Sequence, residues 1–213
     1  MKTDELIAML AAGESAVDLH AMQKRYTTAL GLGMIGAALL MASLLGVRHD
    51  LAEAVMLPAF WIKLGFVAAL VASSLYAVLR LSRPGSSLDW VGSLMAAPVM
   101  IMWTLAAFAF FEADPVQRPT MFFGSTWRTC PLLIAMLSVP LFIGIMWAMK
   151  GLAPTRTRLA GFAGGLLAGS TAALIYCLHC PEMATPFIGF WYLLGMLIPA
   201  VLGMLLSERL LRW

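Results

Sequence analysis

Long stretches without charge dominate this chain. Tyr26–Val47, Val91–Phe111, Thr129–Met149, Leu159–Leu178 and Phe187–Ser207 contain no Asp, Glu, Lys or Arg. A sixth stretch, 61–82, has the uncharged centre Leu64–Leu79, with Lys63 and Arg80 at its edges. There, long cationic side chains snorkel toward headgroups. A bilayer core takes about 20 apolar residues of helix, and backbone groups in lipid must find partners within their own segment. Each stretch therefore predicts a membrane-crossing helix. The runs are continuous rather than alternating, which argues against a β-barrel. The expected fold class is all-α: a polytopic membrane protein of six helices, spanning approximately 26–47, 61–82, 91–111, 129–149, 159–178 and 187–207. A polar segment, 1–25, precedes the bundle (26–207), and a short tail, 208–213, follows it.

Composition agrees. The chain is 62% hydrophobic and 12% charged, against about 25% charged for a soluble domain. A net charge of +3 is too small for a nucleic-acid-binding domain, so lipid is the expected surrounding and direct nucleic-acid contact is not. The first span follows a polar segment and is longer than a signal-peptide core, so it is expected to stay in the membrane.

Lys and Arg set the expected orientation. Counting segments alternately from the N-terminus, one set holds Lys2, Lys24, Arg25, Arg80, Arg83, Lys150, Arg156, Arg158, Arg209 and Arg212; the other holds Arg48, Lys63, Arg118 and Arg128. The positive-inside rule puts the richer set, with both termini, in the cytoplasm. Trp61, Trp90, Trp127, Trp147 and Trp191 fall near span ends, as interfacial Trp does, whereas Trp103 sits deeper and reads as packing. The expected outward loops (48–60, 112–128, 180–186) and inward loops (83–90, 150–158) are too short to fold as domains. No phosphate-binding glycine loop, H-E-x-x-H or serine-nucleophile motif is present, so neither a soluble catalytic site nor a cofactor is expected. A small transporter is a further reading. It would want ionisable residues near the midplane of a span, and there are none. Pro98, Pro140 and Pro199 lie inside spans and read as kinks.

Gly161, Gly165 and Gly169 repeat at a spacing of four in the fifth span. Such a small-residue face allows close helix approach. Packing within the chain is the first reading, and a homodimer seam is the second.

The three cysteines cluster on the expected outward side. Cys130 begins the fourth span, and Cys177 and Cys180 end the fifth. These spans are antiparallel neighbours in sequence, so a disulfide between Cys130 and Cys180 is one reading. Cys177 lies about 4.5 Å deeper by helical rise and reads as an inert buried thiol. Cys177 and Cys180 as a C-x-x-C redox pair, in the manner of a quinone-linked membrane thiol oxidoreductase, is another reading. A soft metal ion held by Cys130, Cys180 and His179 is a third, and thiols without chemistry a fourth.

In the N-terminal segment, Thr3 or Asp4 can cap a short helix, and Thr3, Leu6, Ile7 and Leu10 share one face at i, i+3, i+4 and i+7. A helix this short is marginal alone in water and gains stability by laying its apolar stripe in a groove or on a membrane.

Several motifs together resemble a known family. They are Met1-Lys2-Thr3-Asp4-Glu5-Leu6-Ile7-Ala8-Met9-Leu10; Pro58-Ala59-Phe60-Trp61-Ile62-Lys63, followed by Arg80-Leu81-Ser82-Arg83-Pro84-Gly85; Trp127-Arg128-Thr129-Cys130-Pro131; and His179-Cys180-Pro181-Glu182, followed by Phe190-Trp191-Tyr192. With the six spans, this order resembles the NrsF-like membrane anti-sigma factors of proteobacteria, over nearly the whole chain. The resemblance implies an inner-membrane protein, not an enzyme, that holds an extracytoplasmic-function (ECF) sigma factor inactive. It implies that two periplasm-facing cysteines, here Cys130 and Cys180, govern release under oxidative or heavy-metal stress, and that Leu6, Ile7 and Leu10 contact the sigma factor. It assigns no role to Cys177.

Overall fold

The structure, a computed structural model, describes residues 3–12, 21–82, 89–152 and 154–211. Arg83-Pro84-Gly85 and the last two residues of the expected tail lie outside these. Helix α1 is Thr3–Ala12. Helix α2, Ala21–Leu40, runs on through a π-helical turn, Met41–Leu45. A short turn of helix, α3 (Leu51–Ala54), leads to α4 (Pro58–Leu81) and then α5 (Val91–Glu112). A second short helix, α6 (Arg118–Phe123), precedes α7 (Cys130–Lys150), α8 (Thr157–Tyr176) and α9 (Thr185–Leu210). Among the described residues, six helices are long and apolar enough to cross a membrane. Prolines open several of them: Pro58, Pro131 and Pro186 occupy first turns, where a missing N–H costs nothing. Pro98, Pro140 and Pro199 lie inside continuous helices, as expected of kink positions.

Small residues decide which helix is central. Helix α8 is built largely of Gly, Ala, Ser and Thr, and most of it is buried. Lipid tails are as apolar as Leu, so membrane helices associate through close packing, which small residues permit. On one side of α8, a Cβ at Gly161 would strike the Gly203 carbonyl, one at Gly165 the Pro199 carbonyl, and one at Gly169 the Met196 carbonyl at 2.7 Å. Helix α9 of the same chain therefore fills the Gly161–Gly165–Gly169 face. The second reading of that stripe, a homodimer seam, is corrected: no room is left for another chain. On other sides Gly164 admits Met146 and Met149 of α7, and Ser74 of α4 meets Ser170 at 3.4 Å.

Helix α2 lies against α7 through a second small-residue seam, Gly33 on Leu141, Gly36 on Pro140 and Gly144 on Ala29. At the end of the bundle where α2 begins, Tyr26 Oη and Ser82 Oγ are 2.7 Å apart, and the Arg25 guanidinium lies 5.0 Å from the Trp147 ring centre. Helix α5 stands at the periphery, leaving an apolar groove of about 580 Å³ between it and α4, α8 and α9.

Candidate functional site

Where a membrane helix ends, its last carbonyls lose their intrahelical partners and need donors from elsewhere. Helix α8 ends at Tyr176, and Pro181, which lacks an N–H and disfavours the helical conformation at Cys180, keeps it from running on. The exposed backbone of 178–182 must be satisfied by the rest of the bundle, and two cations do much of this. Lys63 Nζ donates to the Cys180 carbonyl at 2.9 Å and to the Glu182 carbonyl at 3.0 Å. Arg48 Nη1 donates to the same Cys180 carbonyl at 3.2 Å, and the Arg48 backbone N–H to the Leu178 carbonyl at 3.1 Å.

The sequence reading of Lys63 as a snorkelling residue is corrected. Its side chain is fully buried (0% exposed) and points to the 178–182 loop, with its ammonium 5.6 Å from the Tyr192 ring centre. The reason is chemical: a loop carbonyl without a donor costs about 1–3 kcal/mol when buried, and an ammonium can serve two.

Other contacts fix the loop's orientation. His179 Nδ1 lies 2.9 Å from the Gly46 carbonyl, which can only accept, so Nδ1 carries a proton. Gly46 itself has φ +75°, a conformation that favours glycine. Arg48 is anchored by Asp50 through two bonds of 2.7 and 2.6 Å, and this pairing holds the Asp50 carboxyl down to about 2. Glu182 Oε1 accepts from the Ser125 N–H at 2.7 Å and the Ser125 hydroxyl at 2.8 Å. Its carboxylate fills the space beside Gly124, another positive-φ position, where a Cβ would sit 2.6 Å away. Beyond it, the Trp127 and Trp191 rings pack tilted at 48° with centres 5.1 Å apart, and Trp191 Nε1 donates to the Phe122 carbonyl at 2.9 Å.

Within this frame lie the cysteines. All three are free thiols and fully buried. The Cys130 and Cys180 side chains are hydrogen-bonded to one another, and the Tyr176 hydroxyl reaches both. Cys180, on the loop between α8 and α9, is held below the usual thiol range, to about 6. The Cys130 hydrogen bond is the main cause, with burial opposing it and the Lys63 charge reinforcing it. Cys177, one turn back, is pushed up to about 12 by burial. The Tyr192 hydroxyl is buried beside Cys177 and Cys180 but makes only loose contact with them, no hydrogen bond of proper geometry. A π-helical turn, Ile188–Tyr192, delivers Tyr192 to this spot. Such turns recur at functional sites.

Sequence reasoning paired Cys130 with Cys180, and the structure brings them together. Cys177 is buried just past the end of α8, beside Cys180. His179 is committed to Gly46, and among the described residues no three His, Cys, Asp or Glu side chains stand where they could hold a metal ion together. At the far end of the sequence, α1 forms where Thr3 and Asp4 predicted a helix start. Ile7 is exposed (60%), while the side chains of Leu6 and Leu10 lie outside the described residues. Sequence reasoning missed Lys63, Arg48 and Glu182. A signal was present: two of the four cations on the cysteine-bearing side flank α4's start, next to a loop that needs donors.

What the arrangement offers chemically is a pair of thiols, one acidified, in a dry setting fixed by backbone contacts. No solved structure matches the chain. Among curated proteins it is 61% identical, over the full length of both chains, to "Probable anti-sigma-F factor NrsF" of Azospira oryzae (strain ATCC BAA-33 / DSM 13638 / PS). It is 38% identical, again over the full length of both, to "Anti-sigma-F factor NrsF" of Caulobacter vibrioides (strain NA1000 / CB15N). Residues 10–213 match the model of the NrsF family, described as negative regulator of sigma F, and with the two full-length relatives this gives one assignment: the chain belongs to the NrsF family.

Proposed function

We propose that this protein is an anti-sigma factor of the bacterial inner membrane, with both termini cytoplasmic. It sequesters an ECF sigma factor through α1 and releases it when Cys130 and Cys180 react. The adjacency of these two thiols, at the bundle end opposite the start of α2, is the single observation that carries the reading. Support for the partner comes from the family and from the full-length relatives named as anti-sigma-F factors. Support for the contact surface comes from α1, a helix of ten residues whose exposed Ile7 shares one face with Leu6 and Leu10 by sequence spacing. An apolar stripe of this kind suits a groove on a cytosolic protein.

The chemistry is simple. Two thiols lose two protons and two electrons to a peroxide, which becomes two waters, and one S–S bond forms between Cys130 and Cys180. The sulfurs are then about 2.05 Å apart, closer than any hydrogen bond between them. The 178–182 loop is drawn toward the first turn of α7. A thiophilic metal ion bridging the same two sulfurs is the alternative trigger and restrains the same two elements. A disulfide contributes about 2–4 kcal/mol, whereas taking a complex from 99% bound to 99% free needs about 5.5 kcal/mol. Oxidation alone therefore gives partial release at high partner concentration.

The experiment is a co-purification. Full-length protein is expected to retain a tagged ECF sigma factor in stoichiometric complex, and a chain lacking residues 1–12 to lose it. Retention by the shortened chain would move the contact away from α1. A shortened chain that is properly inserted, as judged by protease protection of its loops, keeps the comparison fair.

A further inference from the structure

Between the thiols and the start of α2 lies the full thickness of the bundle, and α2 has attachments at both ends. The backbone just past α2 is fastened to the cysteine loop three times: Arg48 N–H to the Leu178 carbonyl, Arg48 guanidinium to the Cys180 carbonyl, and His179 imidazole to the Gly46 carbonyl. Arg48 is held for this by Asp50, and only 7% of its side chain is exposed. The other end of α2 is the one nearest α1 in the sequence. Between the ends, α2 touches α7 across a close seam, Gly33 against Leu141, Gly36 against Pro140 and Gly144 against Ala29, so a displacement of α2 is felt along α7. The α2 spanning window is only 22% buried, against 78% for α8. Of the two helices, α2 has far less to lose by moving.

We propose that Arg48 and His179 are coupling residues, which tie the outer end of α2 to the cysteine loop so that a displacement of the loop shifts α2 against α7 and is delivered to α1. This rests on the anti-sigma reading above. Both residues grip the loop through backbone carbonyls, the Arg48 charge also reaching Cys180, and Lys63 still satisfies the Cys180 carbonyl when Arg48 is removed. Helix α4, which carries Lys63, keeps the loop in place; α2 follows it.

The test separates oxidation from release. Full-length wild type, Arg48→Ala, His179→Ala, the double variant and Arg48→Lys are reconstituted in nanodiscs with a tagged ECF sigma factor and treated with hydrogen peroxide. Disulfide formation is read by mass spectrometry and bound sigma factor by pull-down. Compared at equal fractions of Cys130–Cys180 bond, the double variant is expected to show an oxidation-induced loss of affinity smaller than that of wild type by about fivefold or more, the lower bound of ordinary coupling between sites. Arg48→Lys, which keeps a cationic donor for the Cys180 carbonyl, is expected to recover part of it. Equal disulfide formation with wild-type release in the double variant overturns the proposal. No release in wild type despite complete disulfide formation overturns the anti-sigma switch itself, a distinct failure. A second measurement needs no variant of the coupling residues. Ketone-bearing residues placed at the exposed positions Leu44 and Leu132 are spin-labelled, and their separation is measured by pulsed electron resonance. A distance that changes on oxidation supports movement of α2 against α7, and an unchanged distance overturns it.

Discussion

Consider the glycines that let α8 sit at the centre. At Gly161 and Gly165 a methyl group would collide with backbone, not with a movable side chain: the Gly203 carbonyl in one case, and the Pro199 carbonyl, with Ala200 Cα at 2.7 Å, in the other. At Gly169 the nearest atoms are the Met196 carbonyl at 2.7 Å and Pro199 Cγ at 2.8 Å. Backbone cannot rotate away, so α9 must back off, which loosens dispersion contacts along the seam. Overpacking of this kind costs about 1–3 kcal/mol, occasionally more. Against that stands the helix-propensity gain of Gly→Ala, about 0.8–1.0 kcal/mol. We expect Gly161→Ala and Gly165→Ala to lose about 1–2 kcal/mol net, and Gly169→Ala somewhat less. Gly65 and Gly92, where a Cβ meets open space, provide the control: Ala there should be neutral or stabilising by up to about 1 kcal/mol. The assay is reversible unfolding in mixed micelles by SDS titration, with oligomeric state followed in parallel. If Gly165→Ala were as stable as wild type, and its effect fell on self-association instead, the reasoning would be refuted and the stripe would be an intermolecular seam.

Two further expectations concern the site. Lys63→Met keeps the stem's packing but strips the donor from the Glu182 carbonyl and one of two donors from the Cys180 carbonyl; the same unfolding assay should show a loss of about 1–3 kcal/mol. The second concerns pH. Cys180 titrates in the folded protein near 6, below the ordinary thiol value of about 8.5. A depressed acid stabilises the fold above the unfolded value and loses that contribution as pH falls through the folded one, so the reduced protein should be less stable at pH 5 than at pH 9. For the same reason, peroxide-driven disulfide formation should climb through about pH 6 and level off by about pH 7. A rate still rising steeply at pH 8.5 would show that Cys180 is an ordinary thiol.

The six spans were legible because lipid imposes a length and a composition that no other setting does, and the ends of α7 and α8 could be matched by counting alternate loops. That brought all three cysteines to one end, and the family resemblance singled out Cys130 and Cys180 among them. The side chains that hold them were less legible. Lys63 sits at a span boundary, where the commonest fate of a lysine is to reach for water. Its actual direction depends on Pro181 breaking the helix and leaving the Cys180 and Glu182 carbonyls without donors, a need that appears only once the loop is folded. Trp103 lies in the middle of α5 but is half exposed, and its role, Nε1 donating at 2.9 Å to the Gly189 carbonyl inside the π-helical turn, depends on a local unwinding that no periodicity announces. The glycine stripe of α8 announced a close neighbour without naming it; only the matching small residues and carbonyls of α9, Gly203 and Pro199 among them, do so.

The central claim is that bonding between Cys130 and Cys180 lowers the protein's hold on its sigma factor. The direct measurement is a peroxide titration of the reconstituted full-length complex, following the fraction of protein with the Cys130–Cys180 bond and the dissociation constant for the sigma factor in the same samples. The account predicts that affinity falls in step with the bond, by about 30- to 700-fold at completion if the whole of a typical 2–4 kcal/mol is transmitted, that a reductant restores it, and that Cys130→Ser and Cys180→Ser each abolish the change. A sigma factor held with unaltered affinity by fully bonded protein, or lost equally well from the two serine variants, would contradict it.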